Sequence, residues 1–119
     1  MSEAIHAGGC HCGKVRFEAA VDLARTIECN CSLCTKRGSI LTATPAAKFK
    51  LLSGENNLVD YQFHKFNIHH LFCSTCGTQS FARGQTPDGK EMVMVNVRCI
   101  DDVDLSKLSP QFFDGKNRL

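Results

Sequence analysis

Tryptophan is missing from this 119-residue chain, tyrosine occurs once and proline three times. The core must therefore be built from Phe, Val, Ile and Leu, with few large aromatics to fill it. No apolar run approaches the roughly 18 residues that a membrane-spanning helix needs, so no membrane partner is expected. The opening Met1-Ser2-Glu3-Ala4 carries an acid and no apolar stretch of the secretory kind. A cytoplasmic location is the expectation. There is no long Lys/Arg run and no basic stripe interleaved with aromatics, so no nucleic-acid partner is expected. The length suits one domain with a modest core.

What the chain does have is cysteine, eight in all. In a reducing compartment clustered thiols point to metal rather than to disulfides. The formal charge of +2 counts every thiol as neutral. With seven thiolates holding two zinc ions, the net charge falls to about −1.

Lys14 to Ala19 alternates polar and apolar residues, the pattern of a half-buried strand. Leu58 to Phe63, Ile68 to Phe72 and Met92 to Val97 also read as strands. Pro87-Asp88-Gly89 is a hairpin turn between Phe81 and Met92. A short helix is expected over Leu33 to Arg37, capped by Ser32 and stopped by Gly38. A second short turn is expected after Asp102, over Val103-Asp104-Leu105. The polar end, Gly115 to Arg118, reads as a frayed tail. The pattern is mainly β, with a domain at 4–113 and a polar tail at 114–119.

The cysteines fall into three motifs and one single residue, Cys99. Cys10-His11-Cys12-Gly13 and Cys73-Ser74-Thr75-Cys76-Gly77 are metal knuckles. The short spacing turns both sulfurs inward, and the glycine supplies a positive φ or a close backbone approach. Together Cys10, Cys12, Cys73 and Cys76 make one closed zinc site, which would staple the two halves of the chain. Structural zinc contributes on the order of 10 kcal/mol to folding.

Cys29-Asn30-Cys31-Ser32-Leu33-Cys34 supplies three thiols. A closed site wants a fourth ligand, while a catalytic site keeps one position for water or substrate. Three thiolates leave a soft centre suited to a substrate thiol. Cys99 could instead close the site, as could one of His6, His11, His64, His69 and His70. His69 and His70 point to opposite faces of a strand, so at most one of them could do so. Lys36 and Arg37, just after Cys34, could bind a substrate carboxylate, with Arg83 and Arg98 as further candidates. Ser32, Thr35 and Thr78 could donate hydrogen bonds to the sulfurs. Asp101 and Asp102 read as turn residues.

Gly8-Gly9-Cys10-His11-Cys12-Gly13-Lys14-Val15-Arg16-Phe17, the three-thiol motif, and Phe72-Cys73-Ser74-Thr75-Cys76-Gly77-Thr78 resemble the glutathione-dependent formaldehyde-activating enzyme family, which includes centromere-protein-V-type proteins. Asn96-Val97-Arg98-Cys99-Ile100-Asp101 resembles that family's last core strand. The resemblance runs from about Ala4 to Pro110. It implies a β-tent fold of layered antiparallel sheets holding two Zn²⁺ per chain. It assigns Cys10, Cys12, Cys73 and Cys76 to a structural zinc, and Cys29, Cys31 and Cys34 to a catalytic one. It also implies a carbon–sulfur lyase whose partners are a small-molecule thiol, glutathione, and an aldehyde, formaldehyde, joined as S-(hydroxymethyl)glutathione. The competing expectation is a zinc-stabilised glutathione carrier or a binding module without turnover.

Overall fold

The computed structural model describes residues 3–63 and 68–118. In chain order the elements are β1 (Ala4–Gly9), β2 (Arg16–Val21), β3 (Ile27–Cys29), helix α1 (Ser32–Arg37), β4 (Leu41–Pro45), β5 (Phe49–Ser53), β6 (Leu58–Tyr61), β7 (Ile68–Cys73), β8 (Gln79–Gln85), β9 (Glu91–Asn96), β10 (Gln111–Phe113) and helix α2 (Gly115–Arg118). They form a three-stranded sheet, β1-β2-β5, and a seven-stranded sheet, β10-β3-β4-β9-β8-β7-β6. Every strand pairing is antiparallel except β10 with β3. The expected layered, mainly β single domain is what forms.

The core lies between the sheets. Phe17 and Phe49 of the small sheet stack at 5.4 Å, and Phe49 meets Phe81 of the large sheet at 4.7 Å. Val15, Val21, Val93, Val95 and Val97 fill in around them and are fully buried. With no indole to fill space, three phenyl rings and a ring of β-branched valines make the contact, side chains that suit pleated sheets. Burial of each such side chain is worth about 1.5–3 kcal/mol.

The alternating stretch at Lys14 to Ala19 is β2, shifted two residues toward the C-terminus. β6, β7 and β9 also lie within a residue or two of where the pattern puts them. The Pro87-Asp88-Gly89 turn is present, closed by hydrogen bonds between Thr86 and Lys90 (2.9 Å) and from the Gly89 N–H to the Thr86 carbonyl (2.9 Å).

Three details differ from expectation. The N-cap of α1 is Cys31, not Ser32. Cys31 is the last extended residue (φ −60°, ψ 163°), and its sulfur accepts the Cys34 N–H. The turn expected at Val103 to Leu105 begins later, at Leu105–Lys107. The Asp104 carboxylate caps it by accepting the Ser106 N–H at 3.1 Å. Gly115–Arg118 forms a helical turn in place of the expected frayed tail, with Asn30 accepting the Lys116 N–H at 2.9 Å.

Gly8 shows how tightly the small sheet meets its surroundings. A β-carbon there would collide with the Cys99 carbonyl oxygen and stand 2.8 Å from the Phe17 ring. Gly8→Ala should therefore cost at least the roughly 1–3 kcal/mol of an overpacked core. Chemical denaturation measures it. A wild-type midpoint would contradict the close approach.

Candidate metal centres

The first cysteine group is made by two hairpin turns. Cys10 and Cys12 lie in the β1–β2 turn of the small sheet. Cys73 ends β7 and Cys76 lies in the β7–β8 turn of the large one. Each turn closes through a glycine at positive φ, Gly13 at 85° and Gly77 at 80°, a region an L side chain rarely adopts. The Gly77 N–H donates to the Cys73 carbonyl at 2.8 Å, and that of Gly13 to the Cys10 carbonyl at 3.3 Å. Lys14 Nζ donates to Thr75 Oγ1 at 3.2 Å, tying one turn to the other.

The four sulfurs lie within 4.8 Å of one another. Cys10 to Cys12 is 3.6 Å and Cys12 to Cys73 is 3.7 Å. A tetrahedron of thiolates about 2.3 Å from a metal has edges of about 3.8 Å, so the spacing fits a metal. It is far beyond a sulfur–sulfur bond of about 2.05 Å. Backbone N–H groups already point at the sulfurs, Val15 to Cys10 Sγ at 3.3 Å and Thr75 to Cys73 Sγ at 3.4 Å.

The second group is Cys29 at the end of β3, Cys31 at the cap of α1 and Cys34 within the helix. Their sulfurs also lie within 4.8 Å of one another. The Cys31 N–H donates to Cys29 Sγ and the Cys34 N–H to Cys31 Sγ, both at 3.4 Å. Gly38 ends the helix in the left-handed region (φ 66°), its N–H on the Cys34 carbonyl at 2.8 Å. Six residues bring three thiols together by bending from strand to helix. Among the described residues no fourth His, Cys, Asp or Glu joins this group. Cys31 is buried, and Cys29 and Cys34 are half-buried.

In both groups the thiols cannot all ionise unaided. Hydrogen bonds from the Thr78 backbone and hydroxyl and from the Cys12 backbone pull Cys76 down to about 5. At Cys12 the Lys14 backbone N–H pulls downward, but burial and the thiols of Cys10, Cys73 and Cys76 outweigh it and push the group up to about 11. Burial drives Cys34 far up, helped by its hydrogen bond to Cys31 and the charge there. At Cys31 burial pushes up, yet the Cys34 backbone N–H and the flanking thiols prevail and lower it. Backbone N–H groups of Cys76 and Thr75 lower Cys73 as well. The four-thiol group thus sets two favoured thiolates, Cys73 and Cys76, against a raised Cys12. The three-thiol group sets one, Cys31, against raised Cys29 and Cys34, and both show the pattern of like charges crowded together. A soft divalent cation would relieve it in either group.

A family model for glutathione-dependent formaldehyde-activating enzymes matches residues 5–114. The chain belongs to this family. Its membership supports an enzyme of formaldehyde activation that uses glutathione. The chain is also similar to a Rhodobacter sphaeroides protein of known crystal structure. The two share 31% sequence identity and superpose with a TM-score of 0.81, over 90% of this chain and 99% of the other.

Within this family member the remaining candidates sort by contact. Cys99 stands outside both thiol groups, and its Sγ donates to the Gln79 carbonyl at 3.6 Å. It therefore does not close the three-thiol group. Cys99→Ser should leave metal content unchanged by elemental analysis. Loss of one equivalent would contradict that. None of the described histidines joins a thiol group. His69 Nδ1 pairs with Asp60 at 2.6 Å, and His70 stacks on Phe63 at 5.2 Å. His64 lies outside the described residues.

Thr78 does bond to Cys76, whereas Thr35 donates to the Asn30 carbonyl at 3.0 Å and Ser32 is exposed in the first turn of α1. Asp101 pairs with Arg16, and Asp102 is a turn residue at φ 60°. Lys36 is exposed. Arg37 donates to Gln79 Oε1 and lies 5.6 Å from the Phe72 ring centre. Arg83 packs over Phe49 and Phe81.

Two residues escaped the sequence reading. Gln79 links Arg37 to His70, its Nε2 lying 3.5 Å from His70 Nδ1. Asn30, a spacer in the motif, is bonded on four sides. Neither carries a sequence signal, because Asn30 reaches Asp114 and Lys116 and Gln79 reaches Arg37, partners remote in the chain.

Burial and then the charge of Arg37 hold His70 below the ordinary histidine range. The folded state therefore resists its protonation. Stability tied to this ring is intact above the unfolded value of about 6.5 and is lost as pH falls below it. His70→Gln should lose less stability than the wild type between about pH 6.5 and 5 in urea titrations. Parallel losses would contradict the assignment.

Proposed function

We propose that the chain is a zinc-dependent enzyme that adds the thiol of glutathione to formaldehyde or a similar small aldehyde, a carbon–sulfur lyase in the reverse sense. The observation that carries this is the contrast between the two thiol groups: one has four thiols and the other three, with no fourth protein ligand among the described residues. In this reading Cys10, Cys12, Cys73 and Cys76 hold a structural zinc. Cys29, Cys31 and Cys34 hold a second, catalytic one.

When bound in the three-thiol group, zinc supplies an open position and the charge that keeps a thiol ionised near neutral pH. The residues of the chain do the rest. Cys31 and Cys34 are fixed by the backbone hydrogen bonds of the α1 cap. Arg37, held by Gln79 and Phe72, and the exposed Lys36 lie just beyond Cys34 and suit the carboxylates of glutathione. In the net reaction the thiol loses its proton to solvent water, which offsets the proton the alkoxide later takes from water, and a sulfur–carbon bond forms to the aldehyde carbon. The carbonyl π pair becomes an alkoxide, which takes a proton from water. The product is a hemithioacetal. Clustered thiols kept for metal and not paired as disulfides suit a reducing compartment such as the cytoplasm.

The test is the rate of adduct formation from glutathione and formaldehyde, followed by exchange NMR with and without protein. Acceleration that disappears in Cys31→Ser supports the proposal. Glutathione binding without acceleration would make the chain a carrier or binding module.

A further inference from the structure

We propose that Asn30 and the C-terminal segment 111–117 are positioning elements of the three-thiol site, so that the second metal, and not the first, depends on the end of the chain. This rests on the reading that Cys29, Cys31 and Cys34 hold a metal.

Asn30 sits between two of the thiols, where the chain turns from β3 into α1. Its backbone N–H donates to the Phe113 carbonyl at 3.2 Å. Its Nδ2 donates to Asp114 Oδ1 at 2.9 Å. Its Oδ1 accepts the Lys116 N–H at 2.9 Å. Its carbonyl accepts the Thr35 hydroxyl at 3.0 Å. Both backbone groups and both ends of the amide are thus engaged, and three of the four bonds run to the C-terminal segment. Asp114 is in turn braced by Asn117, whose Nδ2 donates to Oδ2 at 2.9 Å.

The strand below tells the same story. β3 meets β4 at one register pair, Ile27 with Leu41. It meets β10 at three, the last placing Phe113 opposite Cys29. Helix α1 has six residues, too few to be stable without tertiary support. The strand end, the turn and the helix that carry the three thiols are therefore aligned chiefly by residues more than 75 positions away. The four-thiol group has its own frame in two hairpin turns, and no hydrogen bond described for it reaches this segment.

The test uses full-length protein loaded with zinc. Metal release is followed with a chromogenic chelator in the wild type, in Asn30→Ala, in Asp114→Ala, in Asn30→Asp and in the exchange Asn30→Asp/Asp114→Asn. The expected wild-type result is two equivalents, one more labile. Asn30→Ala and Asp114→Ala should weaken the labile equivalent by about 10–100-fold, the usual cost of losing a residue that orients metal ligands. The other equivalent and the far-ultraviolet circular dichroism should not move. Asn30→Asp alone sets two carboxylates face to face. The exchange restores a donor and an acceptor, so it should hold the labile zinc better than Asn30→Asp. Wild-type retention of both metals in Asn30→Ala and Asp114→Ala would overturn the inference, as would loss of both together. A wild type that binds one equivalent would instead sink the underlying reading of the three-thiol site, and the inference with it.

Discussion

Cys73→Ser should unfold the domain. Cys73 ends β7, is 1% exposed, and brings its sulfur to 3.7 Å from Cys12 of the other sheet. It is the contact through which a metal would join the β7–β8 turn to the β1–β2 turn. Structural zinc supplies on the order of 10 kcal/mol to folding, as much as the whole net stability of an ordinary domain. Serine is a poor zinc ligand, and its hydroxyl would be left in a buried setting. The variant should lose that metal, its cooperative thermal transition and its amide dispersion in NMR. A folded Cys73→Ser with both metals in place would contradict the stapling role.

Cys31→Ser should do the opposite, leaving the fold and removing the function. Cys31 is both a member of the three-thiol group and the N-cap of α1, where its sulfur accepts the Cys34 N–H at 3.4 Å. Serine is among the best N-caps, so the helix keeps its start. The thiolate is lost, and with it a soft metal's preference for the site. The response to glutathione should vanish, and the loss of turnover should exceed the roughly 10–100-fold expected when only an orienting residue changes. Thermal stability should move little. Isothermal titration with glutathione and a melting curve check the two halves. If Cys31→Ser melts far below the wild type, the three-thiol group is structural and not catalytic.

The contrast between these variants follows from where each thiol sits. Cys73 belongs to a group built from two turns on two sheets, so its loss disconnects layers. Cys31 belongs to a group built within one short stretch of chain, so its loss is local. The sequence already separates the groups, because two Gly-terminated knuckles pair naturally and the three-thiol motif stands alone. Gly13 and Gly77 were legible for the same reason, since a tight chelate needs a backbone that only glycine adopts easily.

What could not be read is what long-range contacts decide. Ser32 looked like the N-cap because serine usually is one. Cys31 takes that place because its sulfur is already aimed at the Cys34 N–H. β10 spans three residues after Pro110, too short to show alternation, and becomes a strand only because β3 offers an open edge. Asn30 looked like a spacer because nothing near it in sequence reveals Asp114 or Lys116. Gln79 follows a knuckle and looks like an ordinary polar residue, yet it is the hinge of contacts reaching Arg37 and His70.

The central claim is that the three-thiol group binds a metal whose remaining position is taken by the substrate's sulfur. A crystal of the zinc-loaded protein soaked in glutathione tests this directly. The account predicts anomalous zinc density amid Cys29, Cys31 and Cys34, with the glutathione sulfur about 2.3 Å from it. Zinc there closed by a fourth protein ligand, with glutathione bound elsewhere or not at all, would contradict it.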